Sequence, residues 1–562
     1  MHGRLFLCLN RSCTGAAGKR AGRLIYCYIF GYRFPFRFNN KQFPMKTLRA
    51  IPAFLLLLLL TVSGGCKNSK PAASSLPRST PEAEGVSSAE LLTFLDSAAA
   101  DRHEFHSIMI LRHGKVIAEG WWAPYRPDLR HTLYSTSKSF TSTAVGFAVT
   151  EKLLTVDDKV VSFFPGQLPD TVSPFLAQMR VRDLLTMSAG QAPDPTGRIT
   201  SSSQQWVRDF LATPVLKEPG TEFLYNSMAT FMLSAIVQKV TGEKIADYLR
   251  PRLFEPLGID GYDWEESPEG INSGGWGLRI KTEDMAKFGQ LYLQKGMWNG
   301  KQVIPAEWVE EATSFKIDQA PDALPEVKAK SDWMQGYCYQ FWRSRNNAFR
   351  ADGAFGQYII IMPEKDAVVA ITCESPDMQD EINLVWDYIL PAMKDARLPG
   401  DRESLARLKE RLAALALPVP ADKPDSPLAG ELSGKKFVFG DPGQNQGYFS
   451  ASFDGDTCMV EMETAGQKHL IAAGRGRLIE SMTGLAGPSL ISRPGSPASH
   501  LIAAGYEWTS DSTLEMIIRY IESPHHIRAR CSFEGDTLIL NTRLSPPPGY
   551  DMPTSKGVLK KD

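Results

Sequence analysis

Histidine is scarce in this chain, and unevenly spread. The nine histidines stand at positions 2, 103, 106, 113, 131, 469, 500, 525 and 526, with none between His131 and His469. A His-dependent triad would have to recruit one of the few early imidazoles, and His131, four residues before Ser135, reads better as lining the approach to a helix. HExxH and any Cys/His cluster are absent, which removes the common zinc-hydrolase patterns. There is also no GxSxG turn and no Gly-rich phosphate cradle. If acyl transfer occurs here, its base is expected not to be histidine, and neither metal nor organic cofactor is expected.

Acidic residues are missing from the first 81 positions; the first is Glu82. Within that stretch, "MKTLRAIPAFLLLLLLTVSGGC" places Met45, Lys46 and Arg49 before an apolar run, then small residues and Cys66. The run is short for a bilayer span, which takes about 20 residues. The segment 45–66 resembles a bacterial lipoprotein signal with Cys66 as the lipidated residue; a plain secretory signal or a short membrane helix is the alternative. Residues 1–44 read as a mistaken upstream start. "KNSKPAASSLPRSTP" then reads as a tether over 67–80. The expected location is the bacterial cell envelope, on a membrane through the lipid anchor.

Cysteine pairing patterns are lacking too. Cys8, Cys13, Cys27 and Cys66 belong to the leader, and Cys338, Cys373, Cys458 and Cys531 are far apart with no CxxC. Four buried thiols are expected, with one or two disulfides left open for an exported protein. The net charge of −1 shows no basic stripe, so no nucleic-acid partner is expected. A chain of 562 residues, 43% apolar and 22% charged, is long enough for two domains.

Between these absences lies a patterned globular text. "SIMILRHGKVIAEGWW" and "GQYIIIMPEKDAVVAITC" read as β-hairpins on either side of a mainly helical middle. One antiparallel sheet built from both ends, with helices packed on it, is the α+β layout expected for 81–396. "DRESLARLKERLAALAL" is a helix, followed by a Pro-rich linker to 427. From 428 to 552 the pattern alternates between Gly/Asp turns and reads as an antiparallel β-domain, a meander or small barrel, with 553–562 as a tail. "FDGDT" and "FEGDT" look like the same kind of hairpin tip.

The chemistry is expected at "LYSTSKSFTSTAVGFAV". Ser135 and Lys138 are three residues apart at the head of an apolar-periodic run, so a helix puts both on one face. Burial lowers a lysine's pKa and lets it accept the serine proton. The spacing alone is weak, since "SGKK" at Ser433–Lys436 shares it in a turn-like setting. Tyr225, after a Pro219-Gly220 turn, adds a phenol that a nearby ammonium could hold as phenolate.

Taken in order, "YSTSKSFTS", "RDLLTMSAG", "PGTEFLYNS", "GGWGLRIKTEDMAKFGQLYLQKGMWNGKQVIPAEW" and "ADGAFGQYIIIMPEKDAVVAIT" resemble the class C β-lactamase and penicillin-binding serine hydrolase superfamily, which includes esterases and 6-aminohexanoate-dimer hydrolase. The resemblance implies Ser135 as the nucleophile of an acyl-enzyme, Lys138 as its base and Tyr225 as the proton exchanger. It implies an oxyanion hole from the Ser135 N–H and a strand N–H at Gly353 or Ala354. Two departures stand out. Ser227 replaces the asparagine of the tyrosine motif, leaving a short hydroxyl to meet substrate. "FRADGAFGQ" stands where Lys-Thr-Gly or His-Thr-Gly is usual, so Asp352 would repel a substrate carboxylate unless Arg350 supplies the charge. The expected activity is hydrolysis of a small ester, amide or peptide. β-Lactamase or DD-peptidase action, and a non-catalytic ligand-binding relative, are the alternatives. Trp121, Trp122 and Trp276 are expected to pack a hairpin or line a cleft, and Asp183 with Arg182 to make cap contacts.

Overall fold

The two expected hairpins sit in one six-stranded antiparallel sheet. Strands β1 (Glu104–Arg112) and β2 (Lys115–Trp121) form one edge; β3 (Trp342–Arg343), β4 (Phe349–Gly353), β5 (Gln357–Met362) and β6 (Ala367–Glu374) complete it in the order β3-β4-β5-β6-β1-β2. Both faces are covered, which is why "QYIIIM" and "AVVAITCE" are buried at every position instead of alternating. Ile359, Ile361, Val368 and Ala370 face the large helical layer, while Tyr358, Ile360, Val369 and Ile371 face a second core. That second core holds α1 (Ser88–Ala100).

The structure, a computed structural model, describes residues 26–29, 32–35, 75–100, 102–440, 447–464, 466–490, 499–545 and 549–561. Met1–Asn68 forms one unit, in which Tyr26–Ile29 pairs antiparallel with Tyr32–Pro35. The expected signal segment 45–66, Cys66 and the tether to residue 74 lie outside the described residues. Among those residues no helix is long and apolar enough to cross a membrane.

The tether is shorter than expected. Leu76 is buried and its N–H donates to Glu283 Oε1 at 2.7 Å; Val116 N–H donates to Pro77 O at 2.8 Å. Arg78 bridges Glu119 and Glu283 at 2.9 and 3.0 Å. Residues 76–80 are therefore part of the fold, docked beside β2. The 397–427 connection is docked as well: Leu408 of α4 (Arg402–Ala413) is buried in the second core with Leu415 and Leu417.

Helix α2 (Ser137–Thr150) is buried from Ser137 to Ala148, hydroxyls included. Such a helix is stable only if its polar atoms find partners. Ser139 donates to Gln340 O at 2.7 Å, Thr141 to Gly274 O at 2.8 Å and Thr143 to Ser139 O at 2.9 Å. Beside it runs α3 (Ser227–Thr241), capped by Asn226, whose side chain accepts from the N–H groups of Met228 and Ala229. A cap of this kind contributes about 1 kcal/mol. Asp183 makes the cap contact expected of it, accepting from Arg180 N at 2.8 Å.

The C-terminal region is an 11-stranded sheet that closes on itself. Its strands are β7 (Lys436–Phe439), β8 (Tyr448–Asp454), β9 (Thr457–Thr464), β10 (Gln467–Arg475), β11 (Ile479–Thr483), β12 (His500–Ser510), β13 (Thr513–Tyr520), β14 (His526–Glu534), β15 (Thr537–Leu544), the short Tyr550–Asp551 and β16 (Ser555–Leu559). Closure comes from a parallel pairing of β10 with β12, Ala473 opposite Ala504. The segment expected as a tail is instead strand β16, which fills the gap between β7 and β15. Its apolar pattern is too short to announce a strand, and pairing on both sides supplies what the pattern lacks. Gly455 and Gly535 both have positive φ at the two expected hairpin tips. Cys338, Cys373, Cys458 and Cys531 are all buried free thiols.

Candidate active site

Ser135 lies in a 3-10 turn, Tyr134–Thr136, that leads directly into α2. Tyr134 has φ of 48°, a left-handed conformation that costs a bulky residue energy unless its surroundings enforce it. The turn is held from several sides. Leu133 N–H donates to Leu278 O at 3.0 Å, and Thr136 Oγ1 donates to Gln357 O at 2.7 Å. Gly353, ending β4, comes so close that a Cβ there would lie 2.2 Å from Leu133 O and 2.9 Å from Thr136 Oγ1. Only glycine lets the strand end touch the turn. The main chain of Gly353 and Ala354 is thereby placed beside Ser135.

Lys138, in the first turn of α2, is buried and donates in three directions. Its Nζ reaches Ser135 Oγ at 3.0 Å, Ser227 Oγ at 3.0 Å and the Gly275 carbonyl at 2.6 Å. Burial pushes its pKa down to about 7, against the opposing pull of the Asp194 and Asp352 carboxylates. A neutral amine there keeps two N–H donors for Ser227 and Gly275 and aims its lone pair at the serine hydroxyl. Ser433 and Lys436, with the same spacing, form no such pair: Ser433 Oγ accepts from Phe453 N, and Lys436 sits over the Tyr448 ring.

Tyr225 completes the group. Its ring lies 4.9 Å from Lys138 Nζ and stacks on Trp342 with centroids 5.8 Å apart. Burial pushes the phenol well up, only partly offset by a hydrogen bond with Ser135. Burial thus favours the neutral phenol over the phenolate that the sequence allowed for.

Ser227 also differs from its expected role. Its hydroxyl accepts from Lys138 instead of standing free for substrate. Arg350 supplies no charge to the cleft. It is fully buried, ion-paired to Asp352 at 2.8 Å, hydrogen-bonded to Asp332 O and Ser344 Oγ, and lies over Trp333 at 4.5 Å. The charged groups that act on Lys138 and Tyr225 are the carboxylates of Asp194 and Asp352. Trp122 and Trp276 are packing residues; Trp122 stacks on Phe105, and Trp276 packs against Trp206. His131 is buried against His106 at 3.2 Å, away from the serine group.

Gly275 escaped the sequence reading as a site residue because it contributes a main-chain carbonyl. A Cβ on it would lie 2.8 Å from Ser227 O and 3.5 Å from Lys138 Nζ, so the Gly-Gly pair before Trp276 was its only signal. Among the described residues, Glu104, Glu374 and His526 bring potential metal-ligand atoms within 4.8 Å of one another. Arg519 already donates to Glu104 at 2.6 Å and His525 Nδ1 lies 2.5 Å from Glu374, so both carboxylates have protein partners that a cation would have to displace.

Comparison with known proteins gives this geometry a family. A 6-aminohexanoate-dimer hydrolase of Paenarthrobacter ureafaciens is 26% identical over 292 residues, 48% of this chain and 73% of that protein. The octameric penicillin-binding protein homologue from Pyrococcus abyssi matches 83% of this chain and 99% of its own at 17% identity, with a TM-score of 0.43. A D-stereospecific amidohydrolase from Streptomyces matches 54% and 99% at 15% identity, also with a TM-score of 0.43. The Beta-lactamase family model matches residues 99–392, just over half of the chain and the whole of the serine–lysine–tyrosine group. The chain thus belongs to the Beta-lactamase family of serine hydrolases.

Proposed function

We propose that this protein hydrolyses a small ester or amide through an acyl-enzyme on Ser135. The observation that carries this reading is the buried Lys138 Nζ, 3.0 Å from Ser135 Oγ and driven down to about 7. Lys138 takes the Ser135 proton as Oγ attacks the carbonyl carbon. The oxyanion that forms accepts from the Ser135 N–H and the N–H of Gly353 or Ala354. Tyr225, a neutral phenol, hands a proton to the leaving alcohol or amine and is replenished from Lys138; water then attacks the acyl carbon with the same groups in reverse. No step uses a metal.

The substrate is small, with no anionic group near Asp352. Arg350 is spent on that aspartate, so it offers no free cation to the carboxylate of a β-lactam or peptidoglycan stem. A neutral or amine-bearing ester or amide suits the site better; the dimer named for the Paenarthrobacter relative shares the amide but ends in a carboxylate that Asp352 would repel. The leader reading places the enzyme in the bacterial cell envelope, anchored through Cys66.

A fluorophosphonate probe tests the reaction. Labelling is expected at Ser135 and is expected to vanish in Ser135→Ala. A folded wild-type protein that resists the probe and hydrolyses no ester of any acyl length would overturn the proposal and leave a ligand-binding relative. Incorporation of a clickable palmitate analogue, lost in Cys66→Ser, tests the anchor.

A further inference from the structure

A loop of the barrel reaches into the active-site region. Residues 521–525 join β13 to β14 and lie along the segment that leads to Ser135. The Glu522 carbonyl accepts from Thr132 N at 3.0 Å and Thr132 Oγ1 at 3.1 Å, and its carboxylate accepts from Arg130 at 2.9 Å. Ser523 O accepts from Tyr125 Oη at 2.9 Å.

At the end of this loop is His525, fully buried. Its Nδ1 faces Glu374 Oε1 at 2.5 Å, the arrangement in which that nitrogen carries the proton. The other nitrogen, Nε2, lies 2.5 Å from Tyr134 Oη, and in the neutral imidazole it accepts from that phenol. Glu374 is itself fixed by a hydrogen bond from Ser545 Oγ at 2.8 Å. The imidazole also meets the ring of Phe355 edge-on, with centroids 5.0 Å apart, and Phe355 meets Tyr134 at 5.6 Å.

Tyr134 immediately precedes Ser135, and Phe355 immediately follows Ala354. Both are aromatic residues in the left-handed region, with φ of 48° and 66°. Large side chains stay in that conformation only when tertiary contacts over-determine it. The same imidazole touches both. We infer that His525, braced by Glu374, is a positioning residue for the reaction: it fixes the two strained segments on which the nucleophile and the oxyanion donors ride. The barrel is then part of the catalytic unit, although none of its side chains touches Ser135 or Lys138 in the contacts described above. This inference rests on the hydrolase reading.

The test compares His525→Ala, His525→Gln and Tyr134→Phe in the full chain, by fluorophosphonate labelling rate and by kcat and KM on a chromogenic ester. Misplacing reacting groups by an ångström can lower rates about a hundredfold. His525→Ala is expected to lower kcat and labelling rate by about tenfold to hundredfold, with KM within about twofold. Tyr134→Phe is expected to show the same split, and the double variant to be no worse than the worse single one. Gln, which can accept from the phenol, is expected to restore part of the rate. A folded His525→Ala that labels at the wild-type rate overturns the positioning role alone. If His525→Ala does not fold, an unimpaired Tyr134→Phe overturns it. A wild type that is never labelled overturns the hydrolase reading, and this role with it.

Discussion

Lys138 Nζ lies 3.0 Å from the oxygen of Ser135 and 3.0 Å from that of Ser227, so one buried amine links the turn before α2 to the start of α3. Burial drives that amine down to about 7, which sets the pH dependence. The ammonium has no lone pair, so activity should be lost as the pH falls through this pKa and be full above it. kcat/KM should fall about tenfold per pH unit below neutrality and level off above about 8. Lys138→Ala should lose on the order of 10³-fold at pH 8. A stopped or continuous ester assay across pH 5–9 checks both, and a flat profile would contradict the assignment of the base.

Ser227→Ala should move the acidic limb of that profile to lower pH. The hydroxyl accepts from the lysine and so favours its charged form; removing it leaves the ammonium less stable. Ser227→Asp should move the limb the other way, because a carboxylate favours the ammonium. The apparent pKa from kcat/KM is the readout.

Arg350→Met should destabilise the fold by about 3–5 kcal/mol, since it leaves Asp352 buried without its partner. Arg350→Met with Asp352→Asn should recover much of the loss. Denaturant midpoints measure this. In wild type, a neutral chromogenic ester should be hydrolysed faster than its succinylated analogue, and the reverse preference would restore a carboxylate-binding role to this strand.

Gly353→Ala should cost both stability and rate, because the new methyl would sit 2.2 Å from Leu133 O. Overpacking of this kind costs about 1–3 kcal/mol, and here it displaces the turn that carries Ser135. Gly197→Ala, a helical glycine with nothing within 4 Å of the added carbon, is the control and should be neutral or stabilising by up to about 1 kcal/mol. Melting curves and ester turnover on the two variants separate strain from a general glycine effect.

Much of this architecture is legible in the chain itself. Alternating and continuous apolar runs predict the two hairpins, and the order of the Ser135, Lys138 and Tyr225 segments predicts the family. What the text hides has physical causes. Gly275 acts through a carbonyl, which no side-chain pattern records. Arg350 sits two residues from Asp352 on one strand face, but tertiary contacts with Trp333, Ser344 and the Asp332 carbonyl hold its guanidinium inwards. His525 stands 391 positions after Tyr134 and reaches it through a loop whose path depends on barrel closure. The tyrosine's protonation followed from burial, which the motif does not display.

Strand β16 seals the barrel between β7 and β15, and it is synthesised after both of them. Until it emerges, the wall on which the His525 loop is mounted has an open seam. A nascent chain would therefore carry Ser135 and Lys138 before the barrel wall behind the serine turn has closed.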